Sequence, residues 1–356
     1  MSFFELADNS MWANWLLFTL SAGGVWIFGT KLSSYVDLIA DRTGVGRAFA
    51  GALLLGGATS LPELGTTLTA SASGAAQLAG NNLLGGILMQ LAVLAVVDAL
   101  LLRGKALTLF SPTAALLIQG IFLIFILALA LAAISTGELF TIAGIGAWPI
   151  LFTGVYVAGL WLVYRYEGNP RWMPAGEVEE PPESARDLKD AHKSLYREVS
   201  TKQLCLRFGI GCLGVLVSGF VVARVGETLA EQTGLGQSFV GATLVALATT
   251  LPEVSTTWSA VRFGAYSMAI GNILGTNSLE VALFLPADLA YRTGGIIDAL
   301  NPSAAYLGAL GIMATSIYLW GILERRDRTI LGMGQDSFVI LCLYFLGIGF
   351  FYFLGM

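Results

Sequence analysis

Runs of apolar residues recur along the whole chain, with short polar breaks between them. They lie roughly at 11–30, 48–71, 78–102, 111–134, 145–164, 206–224, 238–261, 267–290, 303–322 and 337–355. A helix rising about 1.5 Å per residue needs about 20 residues to cross roughly 30 Å of hydrocarbon, so each run predicts one membrane-spanning helix. The pattern predicts an all-α membrane protein of ten transmembrane helices. Aromatic residues gather near the run ends (Trp12, Trp15, Trp148, Trp161, Tyr164, Tyr318, Trp320). Amphipathic rings favour that interfacial level.

Composition agrees with the pattern. Mean hydropathy is +0.74 and only 12% of residues are charged, against about 25% in a soluble domain. One long polar stretch, 165–205, divides the chain into an N-terminal half, 1–164, and a C-terminal half, 206–356. Its Pro- and Glu-rich first part, with the acidic run Glu177–Glu183, reads as a solvated linker. Its second part predicts a surface helix over 184–202 with Leu188 and Leu195 on one side. The basic residues set an orientation. With the N-terminus outside, alternate inside loops hold 17 Lys and Arg, and the outside loops hold two, Arg224 and Arg292. The positive-inside rule then places both termini outside and the 165–205 loop in the cytoplasm. The opening MSFFELADNS lacks the basic segment of a cleavable signal. Cys205, Cys212 and Cys342 have no paired or metal-like spacing and read as small core residues.

The chain repeats itself. Residues 41–70 and 231–260, compared at a fixed offset of 190, are identical at fifteen of thirty positions. The offset persists into the next run, where Ala79, Asn82, Leu84 and Gly85 match Ala269, Asn272, Leu274 and Gly275. Five predicted spans separate the copies, and an odd number brings the second copy into the membrane from the opposite side. The expected architecture is two inverted five-helix repeats with broken helices at the midplane, a layout of secondary transporters.

The breaks carry the chemistry. The copies read ATSLPE at 58–63 and ATTLPE at 248–253. Pro62 and Pro252 remove a backbone donor and free the carbonyls of Ala58 and Ala248. Such carbonyls need another partner or a wet cavity. Beside them stand the hydroxyls of Thr59, Ser60, Thr249 and Thr250, then Glu63 and Glu253. An intramembrane carboxylate is expensive unless paired, protonated or solvated. No Lys or Arg lies in these runs, which leaves a bound cation or a proton. Gln90 follows Glu63, and Glu280 follows Glu253, at the same spacing in the two copies. If the chain turns near residues 74 and 264, each pair reaches similar depth on neighbouring antiparallel helices. Carboxylate, amide, hydroxyl and carbonyl oxygens suit hard cations such as Na⁺, Ca²⁺ or Mg²⁺ and not zinc or copper. Asn82, Asn272 and Asn277 read as glue between helices.

These residues resemble the alpha-repeats of the sodium/calcium exchanger family, within the cation/calcium antiporter superfamily. The carriers are GATSLPE at 57–63, ATTLPE at 248–253 and GNILGTN at 271–277. The resemblance implies that Glu63 and Glu253 are the central cation ligands. Thr59, Ser60, Thr249 and Thr250 would add hydroxyl and backbone oxygens, Gln90 and Glu280 would complete the sites, and Thr276 would add a hydroxyl. The chain departs from the family pattern at four places. Gln90 and Glu280 stand where short Asn or Asp is usual, and Gly86 and Ile87 stand where Ser and Asn are expected. Each longer side chain shifts its oxygen by roughly 1 Å, which bears on ion choice through cavity size.

The expected function is exchange of Na⁺ for Ca²⁺ across a prokaryotic inner membrane by alternating access. H⁺-coupled exchange of Ca²⁺, Mg²⁺ or Mn²⁺ on the same fold is the alternative, and a passive cation channel or sensor is the third reading. The glycine-rich first and sixth spans are candidate sliding elements. No Ser/His or Cys/His set is present, and the single histidine, His192, lies in the polar stretch. An enzyme is not expected, nor is a cofactor or a nucleic-acid partner. The expected partners are membrane lipid and the transported cations, and nothing in the chain sets an oligomeric state.

Overall fold

The computed structural model describes residues 10–353 apart from 103, 143, 169–171, 176–179, 197, 234–245 and 326. The first part of the predicted 238–261 span, and Glu177 and Glu179 of the acidic run, lie outside the described residues. The described chain is mostly helical, in the order α1 (Met11–Thr43), α2 (Arg47–Ala50), α3 (Gly56–Thr59), α4 (Leu61–Ala72), α5 (Ala76–Leu101), α6 (Ala114–Thr136) and α7 (Ala147–Gly168). A surface helix, α8 (Glu183–Leu195), follows. Then come α9 (Thr201–Thr233), α10 (Ala246–Thr249), α11 (Leu251–Arg262), α12 (Tyr266–Ala282), α13 (Phe284–Ala290), α14 (Pro302–Glu324) and α15 (Gln335–Phe353).

Eight helical segments among the described residues are long and apolar enough to cross a membrane: α1, α5, α6, α7, α9, α12 with α13, α14 and α15. The other two predicted spans, 48–71 and 238–261, are not continuous helices. The first runs from α2 through one π-helical turn, Gly51–Leu55, into α3, and breaks at Ser60 before α4. The second breaks at Thr250, between α10 and α11. Ser60 (φ −77°, ψ 0°) and Thr250 (φ −78°, ψ −8°) have nearly the same backbone shape. Each is followed by a proline at the second helical position, where its fixed φ suits the first turn of a new helix. Past the breaks, α4 and α11 turn into α5 and α12 through Gly74 (φ +82°) and Gly264 (φ +67°), a left-handed shape that glycine adopts without strain.

The centre of the bundle is α5 and α12. In their most apolar stretches 78% and 89% of residues are buried, against 11% for α1 and 22% for α9. The α12 backbone approaches α2 and the π-helical turn closely, because small residues line the crossing. A Cβ on Gly271 would meet the backbone of Ala48, and one on Gly275 the Cα of Ala52. On the outside, α1 packs along α9 and against α11. Glycines again set the approach: Gly24 faces Ser218, Gly211 faces Leu32 and Gly214 faces Phe28.

Four features depart from the expectations. The all-α reading missed two short antiparallel hairpins, β1–β2 (Thr141–Ile142 with Ile145–Gly146) and β3–β4 (Thr329–Ile330 with Met333–Gly334). Buried aspartates pin them. Asp98 accepts from the N–H of Leu107 and of Gly334, both at 2.9 Å. Asp288, its counterpart in the second half, accepts from Ile296 N–H at 2.8 Å and Gly146 N–H at 2.7 Å. The first predicted span also runs past its expected end, to Thr43, because its polar end is covered. Lys189 and Lys193 of α8 reach Asp37 (3.5 Å) and Asp41 (2.6 Å) at the end of α1. Arg42 donates to the carbonyls of Tyr196 (2.8 Å) and Val199 (2.5 Å). The polar stretch between the halves is thus docked on α1, and its helix is shorter than the expected 184–202. Cys205 is exposed, and Cys212 and Cys342 are only partly buried, so none is a core residue.

Candidate cation site

The two breaks meet α5 and α12 in the middle of the bundle. Glu63 lies in the first turn of α4 and Glu253 in the first turn of α11, while Gln90 lies on α5 and Glu280 on α12. All four are buried, as are Thr59, Ser60, Thr249, Thr250 and Thr276. Glu63 lies within electrostatic reach of Glu253 and Glu280, and Glu280 within reach of Glu253. Gln90 Nε2 donates to Glu280 Oε1 at 2.5 Å. Every predicted residue therefore lies in the buried interior, and direct contact joins Gln90 to Glu280.

The donor inventory is short. Both oxygens of Glu63, both of Glu253 and Oε2 of Glu280 accept no hydrogen bond from the protein. The ion pairs among the described residues are at Asp37, Asp41 and Glu180, and none involves these carboxylates. An ionised carboxylate buried without partners costs several kcal/mol, about what a buried pair loses when one member is removed. The hydroxyls beside the first break do not supply donors. Thr59 stands beside Glu253, yet its hydroxyl donates to the Leu55 carbonyl (3.0 Å), and Ser60 donates to the Gly56 carbonyl (2.8 Å). With their protons held by backbone, these oxygens present lone pairs. Pro62 and Pro252 leave the Ala58 and Ala248 carbonyls without their helical donor. The result is an oxygen-rich, donor-poor interior suited to hard cations.

Among the described residues, no three acidic, cysteine or histidine side chains converge tightly enough to form a metal cluster. A cation here would draw on the hydroxyl, amide and carbonyl oxygens as much as on the acids.

Several neighbours were not singled out in the sequence. Thr67 and Ser71 are buried, and their hydroxyls have no partner. Their places one and two helical turns behind Glu63 were a readable helix-face signal. Gln119 donates to the Gly271 carbonyl at 3.0 Å and pins α12 to α6, which no local pattern shows. Asn272 donates to Thr256 (3.1 Å) and Thr257 (3.4 Å), and Asn277 to the Ile87 carbonyl (3.4 Å). These bonds are the interhelical role expected of both asparagines. Asn82 is half-buried.

Comparison with known proteins gives the site a family. The family model described as sodium/calcium exchanger protein matches residues 13–166 and 204–353. Among curated proteins, the sodium/calcium exchanger MaX1 of Methanosarcina acetivorans is 34% identical over 76 residues, covering 21% of this chain and 22% of that protein. The inner membrane protein YrbG of Escherichia coli is 34% identical over 103 residues, 28% of this chain and 31% of that one. These matched segments span less than a third of the curated relatives. The fold likeness is more extensive. A solved structure of the sodium-calcium exchanger NCX_Mj, soaked with Na⁺ and Sr²⁺, superposes with a TM-score of 0.69 at 17% identity, covering 96% of this chain and 99% of that one. Most of the chain thus matches one family model in two blocks, one for each half, and the protein belongs to the sodium/calcium exchanger family.

Proposed function

We propose that this protein is a secondary active cation antiporter that exchanges Na⁺ for Ca²⁺ by alternating access, with Glu63 and Glu253 as the central ligands. One observation carries the reading: two buried glutamates, each beside a proline break, accept no hydrogen bond from the protein. Thr59, Ser60, Thr249, Thr250, Gln90, Glu280 and Thr276 complete the proposed oxygen set. Ca²⁺, or several monovalent cations, would neutralise the same carboxylates. An empty, charged site is costly to carry through a low-dielectric occluded state, so filled states exchange and empty ones do not.

The proposed frame is ten spans in two inverted halves, 1–164 and 206–356, with both termini outside and the 165–205 loop cytoplasmic. The recurrence of the break geometry at Ser60 and Thr250, and of the aspartate pins at Asp98 and Asp288, supports it. The moving elements in this reading are α1 and α9. Gly29 of α1 lies against Ser255 beside the second break, and Gly219 of α9 against Pro62 of the first. Smooth glycine surfaces at both breaks favour sliding.

Proton-coupled exchange of Ca²⁺, Mg²⁺ or Mn²⁺ is the second reading, favoured by a third buried carboxylate, Glu280, with a free oxygen. Uptake of radiolabelled Ca²⁺ into proteoliposomes separates the two. An imposed Na⁺ gradient drives uptake in the first reading and a pH gradient in the second. Uptake without any counter-ion would instead mark a channel.

A further inference from the structure

The sequence repeat pairs residue 86 with residue 276. Position 276 is a threonine whose hydroxyl lies 2.9 Å from where a Cβ on Gly56 would stand. Position 86 is a glycine, so the first half offers no side-chain oxygen at the matching place. The space is filled from the other half. A Cβ built on Gly86 would stand 3.2 Å from both carboxylate oxygens of Glu280 and 3.4 Å from its carboxyl carbon. One turn further along α5, Gln90 Nε2 holds Glu280 Oε1 at 2.5 Å. Oε2 has no protein partner, and Glu280 is 1% exposed. The carboxylate is therefore held between an amide and a bare stretch of helix backbone.

We infer that Gly86 is a positioning residue for the cation site: its missing side chain admits the Glu280 carboxylate into the place that a hydroxyl on residue 86 would fill. A charged oxygen of the second half then stands in for a neutral oxygen of the first. The two departures compensate in volume, because the glycine gives up a Cβ and Oγ where the glutamate has a methylene more than aspartate. They do not compensate in charge. Ligand charge and cavity size are what tune a hard-cation site, so the Glu280 side of the site favours a divalent cation over a monovalent one. This inference rests on the cation-site reading above.

The test uses the full chain as wild type, Gly86→Ser, Glu280→Asp and the double variant. The first readout is melting temperature in chelator, without transported ions. Gly86→Ser should melt several degrees lower, and Glu280→Asp should restore it by withdrawing the carboxylate. The second readout is Ca²⁺ uptake in proteoliposomes. Gly86→Ser should raise KM for Ca²⁺ by about tenfold, the scale expected when a ligand's support is disturbed, with kcat less affected. The double variant should recover most of that loss and should be inhibited by lower Na⁺ than wild type. Wild-type melting and KM in Gly86→Ser, or purely additive effects in the double variant, would overturn the inference. Wild type and Glu63→Gln in the same uptake assay test the functional reading separately. If wild type takes up no Ca²⁺ or Glu63→Gln retains uptake, that reading fails, while melting in chelator still decides whether residues 86 and 280 compete for space.

Discussion

The two proline breaks share a sequence and a backbone shape, yet their surroundings differ. Behind Glu253, the residues Ser255, Thr256, Thr257 and Ser259 are all buried. At the matching places behind Glu63 stand Gly65, Thr66, Thr67 and Thr69, of which Thr67 alone is buried and Thr69 is exposed. The partner helices diverge further. Asn272, Thr276, Asn277, Ser278 and Glu280 of α12 are buried, where α5 has half-buried Asn82, then Gly86, Ile87, Leu88 and Gln90. A closer cover explains part of this. Helix α11 lies against α1, with Ser259 donating to the Thr30 carbonyl at 3.2 Å, whereas a Cβ on Gly65 of α4 would stand 3.8 Å from Phe220 of α9. Repetition thus reproduces the break, which depends on proline geometry, but not the oxygen supply, which depends on each half's neighbours.

The comparison can be broken where the halves are alike. Glu63→Gln and Glu253→Gln should each lower Ca²⁺ uptake by at least about 100-fold, beyond the loss typical of outer-shell changes, while size-exclusion profiles stay those of a folded protein. Retained exchange in either variant would remove that glutamate from the site. Pro62→Ala and Pro252→Ala should return a donor to the freed carbonyls. Both should slow uptake by roughly tenfold, a barrier change of about 1.4 kcal/mol, and should raise the melting temperature.

Other changes sharpen the comparison where the halves differ. Thr276→Val removes a hydroxyl at constant shape and should raise KM for Ca²⁺ several-fold, whereas Gly86 has no hydroxyl to lose. Gln90→Asn and Glu280→Asp should shift the preference among Ca²⁺, Mg²⁺ and Mn²⁺ more than the maximal rate, and competition uptake measures this. The smallest effect belongs to the docked helix α8. Burial holds the Lys189 ammonium below the usual lysine range even beside Asp37. Partly exposed pairs contribute about 0–1 kcal/mol, so Lys193→Ala should lower the melting temperature slightly, and less in high salt.

Much of this protein is written locally. Hydropathy marked the helices, because each must satisfy its own backbone in hydrocarbon. The paired prolines marked the breaks, and the unpaired glutamates between apolar residues marked the candidate ligands. Thr67 and Ser71 were legible too, at helical spacing from Glu63. The helix ends were less so. Helix α1 extends to Thr43 because Lys189 and Lys193, from the distant polar stretch between the halves, meet its aspartates. The hairpins β1–β2 and β3–β4 were hidden because strands so short make no pattern.

The sequence by itself determined where the chain repeats, where its helices break, and which oxygens stand at the breaks, since all of these follow from spacing and side-chain chemistry. Only the tertiary structure decided that Glu280 lies on Gly86 and Gln90, that α12 crosses the π-helical turn through glycines, and that α1 packs on the second break while α9 reaches both. Those contacts depend on the rotation and register of one helix against another. Packing of the whole bundle sets these, and no single segment encodes them.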